Sequence, residues 1–318
     1  MNTSVPEPLH YRRHDMKYSD IAAAYLVPSA QTPTAPTAPT APPSAARRLR
    51  DALEPIATQG WWAKGVHDRL EAKGLGFFES YVWGRAASLG EPGPGVVVAT
   101  FGVFAPAFLA GVYESGRTLI GRAAVLQARE EGAVESLAGI VDETEAIREA
   151  ADVLLDATGR IDSTARPLFG GLRDLPVPAA GLGRLWRGAE LVREHRGDGH
   201  LGACIAEGLG PLEMSVLTEL WLGYAPGEYS STRGYGPDAI AAAGGRLAAR
   251  GWLDAMSLTP VGRSARDRIE ERTDQSQQAL VDAVGSRLDQ VVAVAETVSS
   301  ALVAAGAFPS DPRKRAAG

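Results

Sequence analysis

An alanine-rich helix, followed at once by a tight turn and a capped helix, is the feature of this sequence that most restricts its fold. Residues 237–250 have a helical pattern that begins with proline, which is tolerated in a first helical turn. Gly251 can end this helix in a left-handed conformation. Leu253 and Leu258 flank a tight turn, and Thr259 can cap the next helix with its side-chain oxygen. The segment predicts a small helical unit with one β-hairpin between two helices.

This unit resembles the winged helix of MarR-type regulators. The resemblance rests on Arg250-Gly251-Trp252-Leu253 before the wing and on Leu258-Thr259-Pro260-Val261-Gly262-Arg263 after it. In such proteins the helix before the wing enters the major groove of DNA. The resemblance therefore implies a recognition helix over residues 237–250.

The residues of that helix are poorly suited to DNA. Base readout needs polar or basic side chains on the exposed face, and phosphate contacts need Lys or Arg. Residues 239–245 are alanine and glycine apart from Ile240, and Arg246 and Arg250 are the only basic residues of the helix. The wing carries none, and the net charge of the chain is −6. DNA as a partner is thus weakly supported, and packing is the expected role of the winged helix.

The rest of the chain predicts a mostly α-helical protein. A Thr-Ala-Pro tract at 31–44 indicates a disordered arm and linker over residues 1–45, in which residues 18–26 form a short helix. Helical patterns then predict an N-terminal module at 46–157, with a break near Gly132, a connection at 158–183 and a C-terminal winged-helix-like module at 184–308. A long C-terminal helix is expected from about 260 to 305, broken near Gly285, before a basic tail at 309–318.

The two halves share a local sequence pattern. Residues 71–90 align with residues 205–223 through a Gly-Leu-Gly triplet and a closing Leu-Gly. This favours two winged-helix-like modules that are pseudo-duplicated, although Gly-Leu-Gly is also a common helix stop. The cleft between two such modules is a natural site for a small molecule.

The most unusual local sequence is HRGDGH at residues 195–200. Its glycines are expected to interrupt the helix and to let the backbone approach a ligand. The residues allow ligand binding by His195, Arg196, Asp198 and His200, acid–base chemistry, or a metal site that includes Cys204. The alternative is structural, with Asp198 as a helix cap and Arg196 paired with a carboxylate.

Further candidates lie outside this motif. Arg233, just before the winged segment, and Arg85, on an aromatic-rich helix, are candidate ligand contacts, although a salt bridge is the more common role for a lone arginine. The aromatic residues are expected to form core rather than a stacking surface; they are Trp61, Trp62, Phe77, Phe78, Trp83 and Phe101.

Over residues 46–279 the chain resembles an actinobacterial helix-turn-helix family. The residues that carry this resemblance are LWRGAELVREHRGDGHLGACIAEGL, RAASLG, VVVATFGVFAPAF and RLAARGWLD with LTPVGR. The resemblance implies the helix-turn-helix fold and adds Arg85, Phe101, His195, Asp198, His200 and Arg233 as motif positions. It implies no reaction and no cofactor.

Three functions remain open from the sequence. The first is a ligand-responsive regulatory protein that binds a small molecule in a cleft lined by His195, Asp198 and His200. The second is an enzyme of specialised metabolism in which those residues act as acid–base or metal-binding groups. The third is an interaction protein that forms a homodimer through its C-terminal helix. A single cysteine, and the absence of the roughly 18–20 uninterrupted apolar residues of a membrane span, predict a cytoplasmic protein.

Overall fold

The structure is a computed structural model that describes residues 16–26, 43–179 and 181–316. The predicted Thr-Ala-Pro linker lies almost entirely outside the described residues. The helices, in chain order, are α1 (Tyr18–Tyr25), α2 (Ala45–Ala57), α3 (Gln59–Trp62), α4 (Lys64–Glu71), α5 (Phe77–Ala86), α6 (Pro94–Phe101), α7 (Pro106–Leu119), α8 (Arg122–Ala138), α9 (Glu145–Arg160), α10 (Pro167–Arg173), α11 (Gly181–Ala206), α12 (Pro211–Trp221), α13 (Pro237–Ala249), α14 (Pro260–Gln275), α15 (Gln278–Val284), α16 (Leu288–Ala304) and α17 (Pro312–Ala316).

Strands β1 (Leu253–Asp254) and β2 (Ser257–Leu258) pair antiparallel, and short 3₁₀ helices cover Ala87–Leu89, Ser230–Arg233 and Gly285–Arg287. The prediction of a mostly α-helical protein is confirmed. No helix among the described residues is both long and apolar enough to cross a bilayer.

The short helix expected at the start of the chain is docked on the body. Ile21 of α1 is buried, and the Tyr18 hydroxyl donates to the carbonyl of Trp62 at 2.9 Å. The Phe77 amide donates to the carbonyl of Met16 at 2.8 Å. This part of the predicted arm therefore belongs to the folded structure.

The buried apolar residues form two clusters. The larger cluster combines residues up to Val192 with Leu280–Leu302, so that α16 packs on α2. The Ser299 hydroxyl, for example, donates to the carbonyl of Ala52 at 2.6 Å. The smaller cluster contains residues from Ala203 to Ile269, which include the winged helix. The clusters thus divide near residues 200 and 278, and not at the proline-rich connection 158–183.

The segment that the sequence predicts as a winged helix is a helix, a hairpin and a second helix, α13, β1–β2 and α14. Gly251 adopts φ +71° after α13, and the Thr259 side chain accepts the amide hydrogen of Gly262 at 3.0 Å. The hairpin turn places Ala255 and Met256 at positive φ, as a tight two-residue turn requires. Leu247 and Leu253 are buried in the smaller cluster as expected.

The two copies of the repeat have the same local structure. Gly74 and Gly208 both adopt positive φ at the end of a helix. In each case the next leucine amide bonds back five residues, from Leu75 to Leu70 at 3.1 Å and from Leu209 to Cys204 at 3.2 Å. Among the described residues, strands follow only the second copy. The repeat is therefore a matching helix stop and helix–turn–helix, and the wing lies in the C-terminal half.

Two predicted helix boundaries are wrong. The chain breaks between α8 and α9 at residues 139–144, and Gly132 lies inside α8. A Cβ on Gly132 would lie 2.6 Å from backbone atoms of Gly65 and Val66, so this glycine serves a close helix crossing. The long C-terminal helix is divided into α14, α15 and α16, with one of the breaks at Gly285 as expected.

A buried polar motif and a separate aromatic cavity

The HRGDGH motif lies inside a single continuous helix. The sequence predicted a break at its glycines, but α11 runs unbroken from Gly181 to Ala206. Gly199 allows a close approach instead, since a Cβ there would lie 2.7 Å from Nη1 of Arg166 and would also meet Ser276. The Arg166 guanidinium reaches over this point to the carbonyl of His195. The motif is thus a packing site between α11 and the segment that follows α14.

His195 is buried and bonded within the protein. Its Nδ1 lies 2.7 Å from Oε1 of Gln277, and because an amide oxygen only accepts, Nδ1 carries the proton. The ring packs edge-on against Phe169, with centroids 4.8 Å apart. Burial lowers the pKa of His195 to about 4, although the bond to Gln277 opposes the shift. His195 is therefore a neutral structural imidazole near pH 7.

Asp198 caps a neighbouring helix. Its Oδ2 accepts the amide hydrogen of Phe169, in the first turn of α10, at 3.1 Å. Burial raises the pKa of this carboxyl to about 7, and the charge of Glu194 adds to the shift. The bond from Phe169 and the charges of Arg85 and Arg166 favour the ionised form, but they do not outweigh burial.

The pH dependence of stability should report this shift. A carboxyl whose pKa is raised on folding stabilises the native state most below its unfolded pKa, and this contribution is lost as the pH rises through the folded pKa. From about pH 4 to pH 7 the stability gap between wild type and Asp198→Asn should shrink by about 2 kcal/mol. Urea unfolding at a series of pH values measures the gap, and a gap that is constant with pH would contradict the assignment.

Arg196 and His200 belong to an ionic network around Glu270. Arg196 donates to Oε2 of Glu270 at 2.8 Å, and Arg47 and Arg266 pair with the same carboxylate. His200 Nδ1 lies 3.0 Å from the hydroxyl oxygen of Thr273, whose own proton goes to a backbone carbonyl. Burial, followed by the nearby arginine charges, lowers the pKa of His200 well below its usual value.

Cys204 completes this network as a buried thiol. Its Sγ lies 3.6 Å from Nε2 of His200, and burial raises its pKa to about 11. Among the parts of the chain that the structure describes, no group of three His, Cys, Asp or Glu side chains is placed to hold a metal. Arg196 is paired with a carboxylate, and Asp198 caps α10 rather than a helix near His200. The geometry of the motif therefore matches the structural interpretation, in which its side chains cap a helix and form ion pairs inside the protein.

A cavity of about 800 Å³, including the space at its mouth, lies elsewhere, between α1, α2, α3, α5 and the C-terminal segment. His195, Asp198 and His200 do not line it. Most of its wall is aromatic, and it also carries three cations and one carboxylate. The lining residues are Ile21, Tyr25, Glu54, Trp61, Trp62, Phe77, Phe78, Tyr81, Phe104, Arg193, Tyr229, Thr232, Arg233, Phe308 and Lys314. Of the aromatic residues expected to form core, Trp61, Phe77 and Phe78 are buried and Trp62 is half-buried, and all four also line this cavity.

Arg233 is the predicted site residue that the structure places in this cavity. It donates to the Tyr229 hydroxyl at 2.8 Å, and its guanidinium lies 5.0 Å from the centroid of Phe104. Its carbonyl accepts the amide hydrogen of Ala105 at 2.9 Å, which ties the 3₁₀ helix before α13 to the body. No sequence pattern indicates Tyr25 or Lys314 as site residues, because they lie near opposite ends of the chain.

Arg85 and Phe101 lie behind the cavity wall. Arg85 forms two hydrogen bonds to the Glu194 carboxylate, at 3.0 and 2.8 Å, and a third to the Tyr81 hydroxyl at 2.7 Å. Its guanidinium stacks on buried Phe101 at 4.7 Å from the centroid. Arg85 also lines a second cavity, of about 200 Å³. These residues support the aromatic wall from behind.

The exposed face of α13 offers little to DNA. Arg246 pairs with Glu213, and Arg250 donates to the carbonyl of Glu207 at 2.8 Å while stacking on Trp252. Alanine and Gly245, with Pro237 and Asp238 in the first turn, occupy the rest of the exposed face. Both basic side chains of the helix thus have protein partners.

The fold defines a helical protein in which a helix–hairpin–helix unit, α13 to α14, is attached to a larger helical body beside an aromatic cavity. The chain belongs to the helix-turn-helix family, whose model matches residues 46–309. Helix-turn-helix domains place a helix in the major groove of DNA, so this membership supports a regulatory protein of the DNA-binding type. No curated protein and no solved structure matches the chain.

Proposed function

We propose that this protein is a ligand-responsive helix-turn-helix regulator that binds a small molecule in the aromatic cavity. The observation that carries the proposal is the position of the 3₁₀ helix Ser230–Arg233. Thr232 and Arg233 line the cavity, and Pro237 begins α13 a few residues later. Arg233 thus keeps the ligand-binding role that the sequence suggested, whereas His195, Asp198 and His200 have no part in the proposed ligand site.

A ligand in this cavity would contact both parts of the protein. Trp61 and Phe78 belong to the larger body, whereas Tyr229 and Arg233 belong to the segment that leads into α13. A ligand changes an equilibrium only by binding one arrangement better than another. Since the cavity is shared, a change in how the winged helix sits on the body would change the fit of the ligand.

The proposed DNA contact is the exposed face of α13, and affinity is expected to be modest. Few Lys or Arg side chains are available for phosphates, and Arg246 must leave Glu213 before it can contact one. An enzymatic role finds no support in the polar motif, because the imidazoles of His195 and His200 are both bonded to protein groups.

The test begins with selection of duplex DNA from a random-sequence library on the full chain. Ala242→Glu places a negative charge on the exposed face of α13 and should weaken binding to the selected DNA by about tenfold or more. Ala293→Glu is the matched control, because Ala293 is an exposed alanine on α16 of the body. It should change the affinity by less than about twofold.

Two results would overturn the proposal. One is that no sequence is enriched by the selection. The other is that both variants bind the selected DNA like wild type. The ligand-responsive part is tested by a thermal-shift screen of small aromatic compounds. Compounds that stabilise the protein should change its affinity for the selected DNA, and by linkage the DNA should change their affinity by the same factor.

A further inference from the structure

We infer that the aromatic cavity takes a planar aromatic carboxylate, with the ring between the aromatic walls and the carboxylate held by Arg233 and Lys314. The inference rests on the proposed function for the biological role of the site. Its chemistry is argued from the walls and charges of the cavity alone.

The walls suit a flat ring system. Trp61 meets Tyr81 edge to face, with ring planes 89° apart, and Phe77 meets Phe78 at 82°. Trp62 meets Phe308 edge to face, with ring planes 76° apart. Such walls present both ring faces and ring edges, which are the surfaces that a further aromatic ring packs against.

The charges of the cavity are not balanced. Arg193 is neutralised, because it pairs with Glu54 at 3.2 Å and with Glu194 at 3.4 Å. Among the described residues, Arg233 and Lys314 form no salt bridge. Two cations without carboxylate partners in a largely apolar cavity are costly unless an anion joins them.

Arg233 is placed to donate to such an anion. Two of its nitrogens bond to the neutral hydroxyls of Thr232 and Tyr229, at 2.9 and 2.8 Å. Its Nε is buried and has no hydrogen-bond partner in the part of the chain that the structure describes. A guanidinium in this position can still offer hydrogen bonds to a carboxylate.

Lys314 supplies the second charge from the C-terminal segment. Its Nζ lies 3.9 Å from the ring centroid of Tyr25 and 5.5 Å from that of Tyr224. Asp311 and Glu228 are near this ammonium but pair with Arg313. Burial lowers the pKa of Lys314 to about 8, and the charge of Arg233 adds to the effect. A bound carboxylate would stabilise the charged lysine, so affinity should fall as the pH rises above about 8.

The experiment uses three probes on the full chain. 2-Naphthoate has the ring and the charge, 2-naphthamide is its neutral counterpart, and decanoate has the charge without a ring. Binding is measured by calorimetry and by the fluorescence of Trp61 and Trp62, which line the cavity. 2-Naphthoate should bind about tenfold more tightly than either of the others, since hydrogen bonds to charged groups are strong and ring stacking adds to them.

Variants test whether the preference for 2-naphthoate arises in the cavity. Arg233→Gln should remove most of the preference for 2-naphthoate over 2-naphthamide, and Arg233→Lys should retain much of it. Arg148→Gln is the matched control, because Arg148 is exposed on α9 and pairs with Glu143 and Glu145. It should bind all three probes like wild type. Circular dichroism shows whether each variant is folded.

The inference is overturned if wild type binds none of the probes, if it binds 2-naphthoate and 2-naphthamide equally, or if folded Arg233→Gln keeps the preference. Its failure is distinguishable from failure of the proposed function. If the protein selects DNA and its DNA affinity responds to another class of compound, the proposed regulatory function stands and the carboxylate inference fails. If the cavity prefers 2-naphthoate but the protein selects no DNA, the carboxylate inference stands and the regulatory function fails.

Discussion

Glu270→Gln is expected to lower the free energy of unfolding by about 3–5 kcal/mol, because it removes the carboxylate that neutralises several buried arginines. The side chains of Arg196 and Arg266 are only 4% and 3% exposed, and both pair with Glu270. Arg47 reaches the same carboxylate from α2. Burial already lowers the pKa of Arg266, to about 10, which shows how poorly hydrated the cluster is. Urea unfolding followed by circular dichroism near neutral pH measures the loss.

The neighbouring residue provides the control for this variant. Glu271 is exposed on the same helix, and Glu271→Gln should change stability by no more than about 0.5 kcal/mol. Adding Arg196→Met to Glu270→Gln removes one uncompensated charge and should restore part of the stability. A loss below about 1 kcal/mol for Glu270→Gln would mean that the cluster is hydrated in solution.

Gly132→Ala is expected to destabilise the protein by about 3 kcal/mol, although alanine is normally the better helix residue by about 0.5–1 kcal/mol. The new Cβ would lie 2.6 Å from the carbonyl carbon of Gly65 and from Cα of Val66. These are backbone atoms, so α4 and α8 must move apart to accommodate it. Thermal and urea unfolding measure the change.

Gly202→Ala is the matched control for this crossing. Gly202 lies in α11, and among the described residues no atom outside its own helical turn is within 4 Å of the position of its missing Cβ. This substitution should therefore stabilise the protein by about 0.5–1 kcal/mol. Equal effects at the two glycines would show that α4 and α8 are not closely packed at Gly132.

The sequence predicted the helix–hairpin–helix segment from α13 to α14 well because its determinants are local. A left-handed glycine at Gly251 and a side-chain cap at Thr259 are set by neighbouring residues and need no distant partner. The same is true of the helix stops at Gly74 and Gly208. The mostly α-helical composition follows from helical periodicity over many segments.

The role of the HRGDGH glycines could not be predicted from neighbouring residues. Two glycines near a helix end normally indicate a break, but here Arg166 and Ser276 pack against Gly199 from distant parts of the chain. Packing therefore overrides the low helix propensity of glycine. The partners of His195 and His200, Gln277 and Thr273, are likewise remote in sequence.

The aromatic cavity was missed for a related reason. An aromatic residue at helical spacing looks the same whether it faces a filled core or an open space. Trp61 and Phe78 are buried, and they line a cavity because Tyr25, Arg233 and Lys314 reach them from three separate segments. The sequence indicates Arg233 through its position before the winged segment and through the family motif, whereas Lys314 lies in the predicted basic tail.

The two crossings of the chain between its hydrophobic clusters lie side by side. The chain leaves the larger cluster near Gly199 and returns to it at Gln277, whose side chain reaches the carbonyl of His195 at 3.4 Å. Two further contacts hold this unit against the body away from the crossings. Arg47 of α2 pairs with Glu270 of α14, and the carbonyl of Arg233 accepts the amide hydrogen of Ala105. Since Trp61 and Arg233 both line the cavity, its shape is set by the same contacts that hold the two parts of the protein together.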